Sequence, residues 1–240
     1  MKAPTDQTFG YENVAPEERR ARIRRVFANV AERYDLMNDL MSFGIHRLWK
    51  RALIGAAAPR SGETLVDLAG GTGDVAAQLG GPDRRAIVCD PSPEMMEAGR
   101  RRGLPQVEWI AGEAEALPFA DGTIDCLTIS FGIRNVTRLR EALREIHRVL
   151  KPGGRFLCLE FSRPQAWLAP AYDLFSFQVI PRLGALIARQ PEAYEYLIES
   201  IRRFPDQREL ADLFAEAGFA SVRWRNLSFG IACIHSGVKG

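Results

Sequence analysis

Seven residues, Asp67-Leu68-Ala69-Gly70-Gly71-Thr72-Gly73, put an acid next to three glycines in four positions. They follow the apolar run Thr64-Leu65-Val66 and precede an alanine-rich stretch. That is the layout of a strand, a tight turn and a helix. Glycine has no Cβ, so backbone here can approach a bulky ligand. The carboxylate at the strand end sets negative charge beside the turn. Such a charge suits a cationic ligand and suits a pyrophosphate badly. S-adenosylmethionine, with its ammonium and sulfonium, fits, and the chemistry favoured is methyl transfer. A rival stays open at this point. Gly71-x-Gly73-x-x-Ala76 also fits the looser dinucleotide fingerprint of an NAD-dependent oxidoreductase, and a plain strand-to-helix turn shows the same local pattern.

Other polar residues fall where a nucleoside ligand needs them. Asp90 ends the run Ile87-Val88-Cys89-Asp90, where an acid can accept from both ribose hydroxyls. A helix cap before Pro91 explains it equally well, and dinucleotide enzymes share the feature. Gly112-Glu113-Ala114 follows the third strand, where a carboxylate and a backbone N–H can meet an adenine edge. Ser130-Phe131-Gly132-Ile133-Arg134-Asn135 leaves the carboxyl end of the fourth strand, facing the reaction centre.

The elements that must hold these residues alternate. Strands are predicted at 64–68, 86–90, 107–111, 124–130 and 155–161, with helices at 74–80, 93–102 and 137–150. Lys151-Pro152-Gly153-Gly154 predicts a sharp turn before the fifth strand. The alternation implies a parallel sheet with right-handed crossovers. Ahead of it, the first ten residues read as loose. A helix from Pro16 follows, with Ile23, Val26, Phe27 and Val30 on one face and arginines on the other. A second helical region holds Leu36, Met37, Leu40, Met41, Leu48 and Trp49. Residues 162–205 break the alternation and are aromatic and apolar. A helix at about 206–217 and two strands near 220–226 and 229–235 close the chain as a hairpin.

Composition narrows the function. A length of 240 residues fits one large domain, and a net charge of +2 supplies no global drive toward nucleic acid. The clusters Arg19, Arg20, Arg22, Arg24, Arg25 and Arg100-Arg101-Arg102 read as solvated faces or as surfaces for anionic lipid. Cys89, Cys126, Cys158 and Cys233 sit in apolar contexts and read as buried thiols of a reducing compartment. The three histidines lack metal-ligand spacing, so no metal is expected. No secretory leader is visible, and no apolar run reaches the ~18 residues a membrane span needs. The expected location is the cytoplasm, with contact at the inner face of the membrane left open.

The order of these features resembles the class I S-adenosylmethionine-dependent methyltransferases. A narrower likeness lies in the run from Val26-Phe27 through Arg33-Tyr34-Asp35 to His46-Arg47-Leu48-Trp49-Lys50. That run, with Asp67 to Asp74, Ser130 to Thr137, Leu159-Glu160-Phe161-Ser162, Tyr196 to Arg202 and Pro205-Asp206-Gln207, is similar to the ubiquinone/menaquinone biosynthesis C-methyltransferases. The resemblance spans about residues 9 to 237. It implies an α/β Rossmann-like fold: a mostly parallel seven-stranded sheet, a C-terminal antiparallel hairpin, helices on both faces and an N-terminal helical cap. It implies one domain, with a cap at about 12–60, a core at 62–161, an apolar insertion at 162–205 and a closing helix and hairpin at 206–237. Cofactor contacts are implied for Asp67, Gly71, Thr72, Gly73, Asp90, Glu113, Ala114 and Ser130. The family more often has Asn or Asp where Glu113 stands. The implied reaction is C-methylation of a polyprenyl quinol. Arg134 and Asn135 are the candidates for positioning and phenolate stabilisation, and Tyr34 for lining the pocket. His46, in a helical apolar stretch, reads more readily as structural, and Asp35 reads equally as a cap of the next helix. The 162–190 stretch offers a home for the prenyl tail, a core cover or a dimer face, and a homodimer, a biosynthetic complex or a noncatalytic scaffold within one is compatible with it.

Overall fold

A computed structural model describes residues 8–30, 39, 42, 44–174 and 191–240. Seven strands form one sheet: β3 (Thr64–Leu68), β4 (Arg85–Asp90), β5 (Val107–Ala111), β6 (Ile124–Ser130), β7 (Leu150–Phe161), β8 (Phe219–Leu227) and β9 (Ala232–Lys239). Their order is β5-β4-β3-β6-β7-β9-β8. The first five run parallel, and β9 and β8 are antiparallel additions. A small hairpin of β1 (Thr8–Phe9) and β2 (Glu12–Asn13) stands apart. The helices are α1 (Pro16–Val30), α2 (Ile45–Ala57), α3 (Asp74–Leu79), α4 (Pro93–Arg100), α5 (Leu139–Val149), α6 (Ala169–Leu174), α7 (Pro191–Arg203) and α8 (Gln207–Glu216).

The central strands read as unbroken apolar runs because both faces are covered. Successive residues serve opposite cores. Val66, Leu127, Phe156 and Phe214 pack on one face with Leu143 and Ile146 of α5. Leu65, Cys126 and Leu157 pack on the other with Trp49 and Leu53 of α2 and Val75 of α3. Phe156 and Phe214 are fully buried and stacked at 4.8 Å, so truncating either to alanine costs about 3–5 kcal/mol. All four cysteines are buried and free.

Local chemistry sets the helix starts. Ser92 accepts from the N–H of Met95 ahead of Pro93 at the head of α4. Asp206 and Glu209 form a capping box on α8. Gly44, at φ 73, precedes α2.

The structure corrects several expected boundaries. β7 begins at Leu150 rather than 155. Leu150 pairs with Ile124 and Arg155 with Cys126, so Lys151–Gly154 bulges out within the strand. The last strand runs over Ala232–Lys239, not 229–235, because Ser228–Gly230 turns as a short 3-10 helix. The chain is not loose as far as residue 10. Thr8 is buried, its carbonyl accepts from Arg19 Nε at 2.8 Å, and Phe9 stacks on Tyr196 at 4.3 Å. Leu36, Met37, Leu40, Met41 and the stretch 175–190 lie outside the described residues.

Candidate active site

Strand order reverses between β3 and β6, and a cavity opens there beyond the carboxyl ends of the strands. This switch point is where open α/β sheets bind ligands. The cavity encloses about 1130 Å³ counting its open mouth. It is lined by Asp67, Gly71, Thr72, Asp90, Glu113, Ala114, Ser130 and Asn135 among others.

Two buried carboxylates form its floor. Asp67 is 2% exposed and accepts from Thr128 Oγ1 at 2.9 Å, a bond that spans the switch point. Burial pushes its carboxyl up to about 7. Asp90 accepts from the N–H groups of Gly71 and Ser92, each at 2.8 Å. Burial lifts it to about 6 against those two bonds. Among the described residues neither buried carboxylate has a hydrogen-bonded cation, and Lys50 acts on Asp67 only through its field, so a positively charged ligand is favoured.

The turn above them is shaped by backbone. Gly71 has φ +56, and a Cβ there would lie 2.9 Å from the Met95 methyl. Ala69 and Phe131 hold left-handed φ values of 50 and 57 at the ends of β3 and β6. Such strain persists where surrounding structure over-determines it, which is common at ligand sites. Ser130 Oγ is buried, lines the cavity and has no hydrogen-bond partner among the described residues. A glycine cradle, two buried acids and an orphan hydroxyl together fit S-adenosylmethionine. The arrangement opposes a pyrophosphate, which would meet Asp67.

Gly73 lies behind the lining. At φ 80 it caps α3, and a Cβ there would lie 2.8 Å from the Trp109 ring. Its contribution is to the turn. Arg134 also does not line the cavity. Its guanidinium donates to Glu160 Oε1 at 2.8 Å and to the Phe131 carbonyl at 2.5 Å, and it lies over the Phe161 ring. Glu160, fully enclosed, has its carboxyl pushed up by burial against the pull of Arg134. Asn135 does reach the cavity, and its Oδ1 accepts from Tyr196 Oη at 2.9 Å. Arg19 donates to the carbonyls of Arg134, Asn135 and Val136, fixing this 3-10 turn from below. Tyr34 and Asp35 lie outside the described residues. His46 is buried with Nδ1 2.7 Å from Ser42 Oγ, and burial lowers its pKa, which is the structural role.

A model of the ubiE/COQ5 methyltransferase family matches residues 14–239. The chain belongs to that family. A ubiquinone/menaquinone biosynthesis C-methyltransferase UbiE from Rubrivivax gelatinosus is 66% identical over 236 residues, covering 98% of this chain and 94% of that protein. The protein of the same name from Paracoccus denitrificans is 50% identical, covering 98% of each. Among solved structures, a SAM-dependent methyltransferase from Thermotoga maritima superposes with a TM-score of 0.67 at 22% identity, covering 91% of this chain and all of that one. At that identity the likeness speaks for the Rossmann-like fold alone. As a member of the ubiE/COQ5 family the chain is an S-adenosylmethionine-dependent C-methyltransferase, which sets aside the nicotinamide alternative.

Family membership leaves one wall of the cavity to be explained. Arg20, Ile23, Arg24 and Phe27 of α1 form part of it, with Lys50 of α2 and Asp74 of α3. Glu113 pairs with Arg20 at 3.3 Å and with Arg24, so its carboxylate joins this wall to the end of β5. Sequence reasoning took these arginines for a solvated or lipid-facing surface and gave Lys50 no role. The alternation of arginines with Ile23 and Phe27 was the available signal, since a helix packed on a ligand also needs an inward face.

Proposed function

We propose that this enzyme methylates a ring carbon of a polyprenyl quinol, using a donor laid across the strand ends. The adenine sits at Glu113 and Ala114, the ribose at Asp90, and the amino-acid end at Asp67 and Thr72. The two buried carboxylates carry this reading, because they flank the glycine turn that lines the cavity. The names of the similar proteins point to the quinone ring as acceptor.

Bound S-adenosylmethionine supplies an electrophilic methyl. The protein must then hold the acceptor carbon in line with it at near-attack distance. A phenol with pKa near 10 costs about 4 kcal/mol to ionise at neutral pH, and ionisation is what makes the ortho carbon nucleophilic. Asn135 lowers that cost. Tyr196 occupies its Oδ1, so the amide NH2 remains to donate to the phenolate oxygen. Arg134 acts from behind, holding the turn that carries Asn135, and Ser130 donates to the ligand from the end of β6. Tyr34, outside the described residues, is the further pocket residue that the family resemblance offers.

In this scheme the helices at 12–60 form a cap on the 62–161 core, and the apolar 162–205 stretch shelters the prenyl tail. A tail of that kind brings the enzyme to the inner face of the membrane as a peripheral visitor. Among the described residues no helix is long and apolar enough to cross it. The test is mass spectrometry of a chemically reduced demethylated quinol after incubation with methyl-deuterated donor. One labelled methyl on a ring carbon is the expected product. Donor binding without any labelled quinol contradicts the proposal.

A further inference from the structure

Lys50 is 7% exposed and faces the cavity from α2. Lysine is seldom buried so deeply without full pairing. Its Nζ donates to Asp74 Oδ2 at 2.9 Å, its one hydrogen bond among the described residues. An ammonium carries three donors, so two remain. Asp74 does not depend on this partner alone, because Arg102 reaches its other oxygen at 3.5 Å. The lysine is thus fixed by one acid, held near Asp67, and left with capacity toward the cavity.

Sheet order works as a ruler for the donor. Glu113 follows β5, Asp90 ends β4 and Asp67 lies near the end of β3, so adenine and ribose over β5 and β4 leave the amino-acid end over β3. That end is a zwitterion. Asp67 suits its ammonium, and an opposite charge is required for its carboxylate. We infer that Lys50, anchored by Asp74, is the recognition group for the carboxylate of the donor's amino-acid end. The inference rests on the donor placement proposed above. It gives the site a means of choosing the intact amino acid over a donor that keeps both positive charges and lacks the negative one.

Calorimetric titration with S-adenosylmethionine and with its decarboxylated form tests this without any turnover. Hydrogen bonds to charged groups imply that the wild type prefers the intact donor by roughly 10- to 100-fold. Lys50→Met, which keeps the apolar stem, loses that preference: the intact donor weakens roughly 10- to 100-fold and the decarboxylated one binds as before or better. Retained binding of the decarboxylated donor also reports that the variant is folded. Lys50→Arg restores the preference in part. Equal weakening of both donors marks Lys50 as structural and overturns the inference, as does a wild type that binds both alike. A wild type that binds neither overturns the donor placement itself.

Discussion

The floor and the helical wall of the cavity are built on different principles. The floor is backbone and buried acid: Asp67, Asp90, the Gly71 turn and Ser130, all at strand ends in a dry sheet. The wall is joined to it by ion pairs, of which Arg24–Glu113 is half open to solvent at 54% and 29%. Exposed pairs contribute about 0–1 kcal/mol each, whereas leaving half of a buried pair costs about 3–5 kcal/mol. The floor therefore sets what binds, and the Arg24–Glu113 pair adds little to holding the wall against it.

That contrast breaks if floor substitutions prove mild. Glu160→Ala strands the buried Arg134 guanidinium behind the floor, and thermal or urea unfolding should show a loss of about 3–5 kcal/mol. Next in size, Asp67→Asn removes the charge that meets the donor. Calorimetry should record affinity for S-adenosylmethionine falling about 10- to 100-fold. The same variant should make the empty protein more stable at pH 8. The folded carboxyl of Asp67 is raised to about 7, so stability is lost as pH climbs from the ordinary carboxylate range through 7. Asparagine removes that loss, a gain of about 2–4 kcal/mol in denaturant titrations at pH 8. Gly71→Ala should cost about 1–2 kcal/mol through its left-handed φ, read as a lower Tm with weaker donor binding.

The smallest effect sharpens the comparison. Arg24→Ala should change stability by less than about 1 kcal/mol. Stopped-flow binding should show faster donor release with a nearly unchanged unfolding midpoint. A large stability loss there would mean that wall and floor are one rigid unit.

Legibility in the sequence follows the same division. The floor is local. Strand, glycine turn and helix occupy consecutive residues, and Asp67, Asp90 and Ser130 each end an apolar run, so their convergence follows from the rule for parallel sheets. The sheet and its closing hairpin were legible for the same reason. Arg134 was legible as a residue near the site but not as one held away from it. Its partner Glu160 lies on the adjacent strand, and only the packed structure joins them. Lys50 sat inside a recognised run without a role, because its meaning depends on α2 packing beside Asp74 at the start of α3. Thr8 and Phe9 looked loose because their anchors, Arg19 and Tyr196, are contributed by elements far along the chain or beyond the first turn. Lys151–Gly154 carried every mark of a turn. The structure keeps the bend and folds it into β7 as a bulge.

The pH dependence of donor binding tests the charged floor most directly. S-adenosylmethionine should be titrated by calorimetry between about pH 5.5 and 7.5, below the range where an α-amine discharges, at about 7.7–8.0. Two buffers of different protonation heat count the protons exchanged. A free Asp67 titrating at about 7 must give up its proton when the cation arrives. The expected result is net proton release at the acid end, affinity that climbs toward neutrality and then levels, and loss of most of that slope in Asp67→Asn. Proton uptake, or an affinity indifferent to pH in the wild type, would contradict a site built around buried negative charge.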